Sequence, residues 1–159
     1  MDLDKNVQLV ETTENDIGQI MNWFNDEVSL LKWSGPNFRY PFTPSTFIQD
    51  LKLAELNSFT LKTEDNKIVA FGQFYQRLNR CHLGRLVVAP NMRGKGIARI
   101  LLEQLSTKGI AKLNLAQLSL FVLKDNISAI KAYQKFGFVL SEYPGDIGLP
   151  DCLYMIKAC

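Results

Sequence analysis

The sequence has few of the residues that build metal centres or disulfide frameworks. Its 159 residues include one histidine, His82, and three scattered cysteines, Cys81, Cys152 and Cys159. An odd number of widely spaced cysteines fits neither a disulfide framework nor a zinc-binding spacing, and it is typical of a reducing compartment. The sequence therefore predicts no metal site and a cytoplasmic protein.

The chain also lacks a long apolar run and a strong excess of charge. Residues 1–5 are polar, unlike a signal peptide, and no apolar stretch approaches the length of a membrane span. Eighteen basic and sixteen acidic residues leave a formal net charge of +2, which indicates no polyanionic partner. We expect a single domain over residues 1–159, a monomer or homodimer, with neither a membrane nor a nucleic acid as partner.

Strand and helix patterns alternate along the chain without a linker or an internal repeat. Apolar and alternating runs predict strands at 7–11, 58–62, 67–76, 82–88, 115–123, 138–142 and 152–157. Helical periodicity predicts helices at 12–25 and 45–56, from Gly96 to a stop at Gly109, and from Asn126 to Gly137. Glycines and prolines interrupt the pattern at 31–44, where we expect a loop. This order predicts an α/β fold with a mixed sheet.

A glycine-rich turn joins the strand at 82–88 to the next helix. It reads Leu86-Val87-Val88-Ala89-Pro90-Asn91-Met92-Arg93-Gly94-Lys95-Gly96-Ile97-Ala98-Arg99. Backbone N–H groups at a helix start, with no Cβ in the way, can bind phosphate oxygens. A dinucleotide fingerprint would need glycine at Arg99, and a triphosphate P-loop would need serine or threonine at Gly96. By itself the turn fits a purely structural role, or a phosphate-binding site that is neither a dinucleotide fingerprint nor a P-loop.

A second motif begins about thirty residues later, at Asn126. Tyr133 follows it by seven positions, so both lie on one helix face. Together, the patterns Arg93-x-x-Gly96-x-Ala98 and Asn126-x-x-Ala129-x-x-x-Tyr133-x-x-x-Gly137-Phe138 resemble two successive motifs of the GNAT superfamily of N-acetyltransferases. The resemblance implies one GNAT domain with a mostly antiparallel central sheet, a splayed strand pair and about four helices.

The resemblance also implies acetyl-CoA as co-substrate, with direct transfer of its acetyl group to an amine. Main-chain N–H groups would bind the pyrophosphate, and an N–H near Val88 would polarise the thioester carbonyl. Asn126 would contact the amide arm of CoA, or would simply cap its helix. The predicted cofactor-binding residues are Leu86, Val87, Val88, Arg93, Gly94, Lys95, Gly96, Ile97, Ala98, Arg99, Asn126 and Tyr133.

Two residues are candidates for catalysis. Tyr133 matches the tyrosine of the family that protonates the CoA thiolate, although a tyrosine at this helical spacing can also be a core residue. For the general base, the position of a glutamate in one subgroup is occupied by Phe121, whereas the position of a glutamate in histone-acetylating members is occupied by His82. His82 could also be purely structural, and Glu142, Asp146 or an amine that needs no base remain alternatives.

The acceptor is a primary amine of a small molecule or peptide that the sequence does not identify. The aromatic residues of 31–44, among them Trp33, Phe38 and Tyr40, either line its pocket or pack within a loop. Two other functions remain open, a noncatalytic acyl-CoA-binding sensor and a tRNA-acting acetyltransferase toxin. A proton donor at Tyr133 argues against the sensor, and the low net charge argues against the toxin.

Overall fold

The computed structural model describes residues 6–159, which form one seven-stranded sheet. The strands are β1 (Val7–Glu11), β2 (Asn57–Thr63), β3 (Ile68–Arg77), β4 (Arg80–Val88), β5 (Gln117–Leu123), β6 (Val139–Ser141) and β7 (Cys152–Ala158). Their order is β1-β2-β3-β4-β5-β7-β6. In these residues β4 and β5 are the parallel pair, and the other neighbours are antiparallel. The mostly antiparallel mixed sheet expected from the sequence is confirmed.

Five α-helices are present in the same residues: α1 (Glu14–Ile20), α2 (Glu27–Ser34), α3 (Pro44–Leu51), α4 (Ile97–Leu113) and α5 (Ile127–Phe136). Two short 3-10 helices add Met21–Trp23 after α1 and Pro90–Met92 before α4. The extra helix relative to the expected four is α2, which begins in the segment before the predicted loop and runs into it. The Asp26 side chain caps its start by accepting a hydrogen bond from the Ser29 N–H at 2.7 Å.

The two faces of the sheet pack against different helices. Residues paired in register share a face, so alternate positions of β3, β4 and β5 divide the side chains into two sets. One face, with Leu83, Leu118 and Leu120, packs against α4 and α5 in a buried apolar cluster. The opposite face packs against α1, α2 and α3 through Phe71 and Val87. We call these the α4/α5 face and the α1–α3 face.

The prediction that α4 stops at Gly109 is wrong. The helix continues to Leu113, and Asn114 closes it in the left-handed conformation at φ 54°. Gly109 instead lies where the helix crosses the sheet most closely, since a Cβ there would lie 2.6 Å from Cys81 Sγ. The glycine is thus required by packing rather than by a turn.

Gly109→Ala is therefore expected to destabilise the protein by about 1–3 kcal/mol, as overpacking of a dense core does. The added methyl would also lie 3.2 Å from Phe74 Cγ, and Phe74 is fully buried. Gly18→Ala is the matched control, because Gly18 lies inside α1 with nothing within 4 Å of an added Cβ. Urea unfolding should show the control unchanged or more stable by up to about 1 kcal/mol. Equal effects of the two substitutions would contradict the close approach.

Candidate functional site

Strands β4 and β5 separate part-way along their length. They pair only at Cys81–Leu118, His82–Ser119 and Leu83–Leu120. Beyond these positions β4 continues to Val88 and β5 continues to Leu123 without pairing to each other. The two strands therefore enclose a gap, which we call the strand gap, and the splayed pair expected from the resemblance is present.

A β-bulge in β4 lies beside the strand gap. The register with β3 steps from Gln73–Gly84 to Phe71–Val87, so Arg85 and Leu86 together face one β3 residue. Arg85 takes a positive φ of 48°, and its carbonyl oxygen accepts a hydrogen bond from Trp33 Nε1 at 2.8 Å. The extra residue reverses the alternation of side chains beyond it.

The backbone of Val88 is directed into the strand gap. The Ala89 N–H donates to the Val69 carbonyl at 2.9 Å, which makes Ala70–Val88 a non-hydrogen-bonded pair of the β3–β4 ladder. The N–H and carbonyl of Val88 therefore point away from β3, towards the unpaired end of β5. Of the predicted β4 residues, Val87 pairs with Phe71 and Leu86 lies in the bulge, so Val88 has its polar backbone groups available to a ligand.

The predicted phosphate-binding turn leads from the strand gap into α4. Gly94 and Gly96 both take φ 78°, and a Cβ at either would meet nothing within 4 Å. No side chain caps the first turn of α4, whereas side chains of Thr13, Asp26, Thr43 and Asn126 cap the other four described α-helices. The N–H groups at the start of α4 are thus open to an anion.

Charged side chains flank this turn. Arg93 and Lys95 are exposed, and Arg99 on the first turn of α4 pairs with Glu103 at 2.8 Å. Ile97 is buried in the core and Ala98 is half-buried. The charged residues and glycines of this turn are therefore exposed, while Ile97 anchors the start of α4 in the core.

Tyr133 lies on the α4/α5 face. Its ring packs against the buried cluster beneath α5 and meets the edge of Phe138 at 6.1 Å between centroids. Burial raises the pKa of its phenol to about 12, so the hydroxyl stays protonated at neutral pH. Asn126, at the start of the same helix, accepts a hydrogen bond from the Ala129 N–H at 3.4 Å, which confirms its capping position.

His82 lies on the α1–α3 face and is almost inaccessible, with 1% of its surface exposed. Its Nδ1 shares a hydrogen bond with Ser119 Oγ at 2.8 Å, and its ring lies between those of Tyr75 and Phe121. Burial and then the charge of Arg77 lower the pKa of His82 to about 3. The bulge also places the His82 and Val88 side chains on opposite faces. These observations argue against the predicted role of His82 as general base.

We accordingly expect no acidic limb from His82 in the pH profile of kcat/KM between pH 5 and 8. A group with a pKa of about 3 stays neutral throughout this window, so its protonation cannot switch activity off there. The profile of His82→Gln should have the same shape as that of the wild type, even if its amplitude changes. A wild-type limb near pH 6–7 that disappears in this variant would restore His82 as the base.

The aromatic residues predicted to bind the acceptor are mostly packed together. Trp33 stacks with Phe24 at 4.4 Å and meets Phe38 edge-on at 5.8 Å, whereas Tyr40 is exposed. The segment therefore forms part of the core beneath α2 and α3, the alternative that the sequence left open. Acceptor binding by Trp33, Phe38 and Tyr40 stays a prediction.

A cleft opens beside these residues, at the end of β5. It measures about 260 Å³ and lies between α2, the end of β5 and the loop that precedes β7. Its lining includes Leu31, Lys32, Leu123, Lys124, Pro150 and Asp151. Sequence patterns alone did not identify this lining, because it joins three segments that are distant along the chain.

A second group of side chains that the sequence analysis did not identify lies on the α1–α3 face around Arg77. The guanidinium of Arg77 donates to the hydroxyls of Tyr143 at 2.9 Å and Tyr75 at 3.2 Å, and it lies 5.1 Å from the ring centre of Phe121. The alternation of Tyr75 and Arg77 along β3 is a signal in the sequence for a shared face. Nothing local indicates that Phe121 and Tyr143 join them.

Two further features of the described residues bear on function. In the range 6–159, none of the helices combines the length and the apolar composition that crossing a membrane requires. The same residues contain no cluster of three or more histidine, cysteine, aspartate or glutamate side chains suited to a metal ion.

Comparison with known proteins bears on the whole fold. The model of the acetyltransferase (GNAT) family matches residues 20–138. A spermidine N-acetyltransferase from Vibrio cholerae, solved in complex with CoA and spermine, has a TM-score of 0.75 and 19% identity, over 97% of this chain and 96% of that chain. The ribosomal-protein-S18-alanine N-acetyltransferase from Escherichia coli has a TM-score of 0.66 and 22% identity, over 96% and 93%. At these identities the similarity establishes a shared fold.

Proposed function

The chain belongs to the acetyltransferase (GNAT) family, and we propose that it transfers an acetyl group from acetyl-CoA to a primary amine of a small molecule or peptide. The strand gap is the observation that carries this proposal. It presents the backbone of Val88 next to an uncapped helix start, so one extended ligand can meet both. A thioester attached to a pyrophosphate through a long amide arm has this shape and chemistry.

We assign cofactor binding to the turn and to β4. The N–H groups from Gly94 to Arg99 hold the pyrophosphate, and the charges of Arg93 and Lys95 attract it. The amide arm pairs with the free edge of β4 in place of a β5 strand. Asn126 is exposed between the end of β5 and the start of α5, and we assign it a contact with the same arm.

Two groups of the protein act on the reacting atoms. The Val88 N–H donates to the thioester carbonyl oxygen and stabilises the negative charge that develops on it. Tyr133 donates its phenolic proton to the sulfur as the carbon–sulfur bond breaks. The ammonium proton of the acceptor leaves to solvent through the cleft, because burial has made His82 a poor proton acceptor.

Thiol release from acetyl-CoA tests this proposal directly. Amino acids, diamines, polyamines and short peptides are supplied as acceptors, and the acetylated product is identified by mass spectrometry. We expect product formation with at least one amine class and saturation by acetyl-CoA. Tight acetyl-CoA binding without turnover of any acceptor would instead favour a noncatalytic sensor.

A further inference from the structure

Arg77 carries a charge that the described part of the chain does not neutralise. Its guanidinium contacts two phenol hydroxyls and the rings of Tyr75 and Phe121, at 5.4 and 5.1 Å from the ring centres. None of the described acids forms an ion pair with it, whereas Arg39, Lys62 and Lys124 have carboxylate partners. The groups in direct contact with the guanidinium are thus aromatic and neutral, and its cross-strand neighbour is a second cation, Arg80.

The guanidinium also has unused donors. A guanidinium offers five N–H groups, and the contacts to Tyr75 and Tyr143 engage two of them. The Arg77 Nε is buried and has no hydrogen-bond partner. A ligand that accepts from the remaining terminal N–H groups would satisfy donors that the described residues leave unused.

The backbone of Arg77 pairs with Arg80 at the start of β4, but its guanidinium reaches the level at which the strand gap begins. Phe121, beneath the guanidinium, directly follows the last β5 residue that pairs with β4. Tyr75 pairs with His82 on the neighbouring strand, so the guanidinium lies over the α1–α3 face rather than behind the sheet. The cleft at Leu123 opens onto this same face, two residues further along β5.

The distance from Arg77 to the chemistry follows from the strands. Ser119 pairs with His82, so Phe121 is level with Gly84 on β4. Between Gly84 and Val88 the bulge leaves three regular steps, which correspond to roughly 10 Å at about 3.3 Å per step. A group bound by Arg77 would thus be several bonds away from an amine placed at the thioester.

We propose that the acceptor of this enzyme carries a carboxylate several bonds from its reactive amine, and that Arg77 binds this carboxylate. The inference rests on the function proposed above. Guanidinium and carboxylate match in charge and in planar geometry. A polyamine would instead place a second cation against Arg77, which is unfavourable in a partly buried site.

A charge series of acceptors tests the inference. ω-Amino acids of increasing length are compared with the carboxamide and the diamine of the same length, using kcat/KM from thiol release. The wild type should prefer the carboxylate to the carboxamide by about tenfold or more, the usual effect of a charge-assisted hydrogen bond. In Arg77→Gln this ratio should fall to near one, and Arg77→Lys should keep part of it.

Arg80→Gln is the matched control. Arg80 pairs with Arg77 across the β3–β4 ladder, but its guanidinium is bonded to Gln117 Oε1 at 2.7 Å and to the Tyr154 hydroxyl at 3.2 Å rather than lying over the Phe121 ring, so it controls for the loss of a neighbouring charge. Its substitution should leave the carboxylate preference unchanged. Thermal unfolding of each variant checks that Arg77→Gln still folds, and Arg77→Lys provides the charge-retaining alternative.

Binding measurements separate this inference from the proposed function. The N-acetylated ω-amino acids, which are the reaction products, are titrated by calorimetry into each variant with CoA present. Carboxylate-dependent binding that Arg77→Gln loses supports the inference even if no acceptor turns over, in which case the proposed function fails alone. A wild type that prefers the diamine, or a carboxylate preference that survives in Arg77→Gln, overturns the inference while acetyl transfer stands.

Discussion

Replacing Tyr133 by phenylalanine is expected to lower kcat by about 10²–10⁴-fold, the usual contribution of a general acid. The substitution keeps the ring that packs against Phe138 and removes only the hydroxyl. The described residues supply no hydrogen-bond partner for this hydroxyl, so its removal strands no other polar group. The loss should therefore appear in kcat, with the affinity for acetyl-CoA and the thermal stability nearly unchanged.

The high pKa of Tyr133 is compatible with this role. Burial disfavours the phenolate and raises its pKa to about 12, and the same apolar surroundings disfavour a thiolate formed beside it. In the proposed step the proton therefore passes from the phenol to the thiolate, and the apolar surroundings disfavour the charged form of both groups. It also follows that Tyr133 contributes no basic limb to the pH profile below about pH 10.

Tyr154→Phe is a suitable control for this experiment. Tyr154 is a buried tyrosine on the opposite face, and its hydroxyl accepts a hydrogen bond from Arg80. Removing that hydroxyl should cost about 1 kcal/mol of stability and leave kcat unchanged. Full activity of Tyr133→Phe, measured where chemistry limits the rate, would assign thiolate protonation to solvent.

The second large effect is expected from Gly96→Asp, which should weaken acetyl-CoA binding by about 10²-fold. Gly96 is the residue before α4, so an aspartate there accepts hydrogen bonds from the first N–H groups of the helix. These are the donors assigned to the pyrophosphate, and the carboxylate also repels the phosphate charge.

Gly148→Asp controls for backbone strain. Gly148 takes φ 86° with open space around it, close to the φ of 78° at Gly96, but it lies in the loop before β7. Its substitution introduces the same side chain at the same kind of backbone position. Calorimetry should show acetyl-CoA affinity lost in Gly96→Asp and retained in Gly148→Asp. Equal affinity of both variants would move the pyrophosphate away from this turn.

The sequence predicted the features that depend on neighbours along the chain. The hairpin of β2 and β3, the glycine turn before α4 and the capped start of α5 at Asn126 follow from local periodicity and turn chemistry. Helix α2 was not predicted, because Gly35 and Pro36, which directly follow it, favoured a loop. Short helices are decided by packing rather than by propensity.

Features set by distant contacts could not be predicted. An arginine at positive φ gives no local signal, so the residues of β4 do not reveal that the bulge lies at Arg85 and separates His82 and Val88 onto opposite faces. The neutrality of His82 depends on its burial between Tyr75 and Phe121. The surroundings of Arg77 likewise combine β3, β5 and the loop after β6.

The strand gap has a consequence for how such an enzyme can diversify. Tyr133 lies on the α4/α5 face and Arg77 on the α1–α3 face, so the sheet separates the residue proposed to protonate the thiolate from the residue proposed to bind the acceptor. Substitutions on one face leave the packing on the other intact, and their energetic effects should be nearly additive. A lineage can then exchange its amine substrate by altering one side of the sheet while inheriting the acyl-transfer machinery on the other.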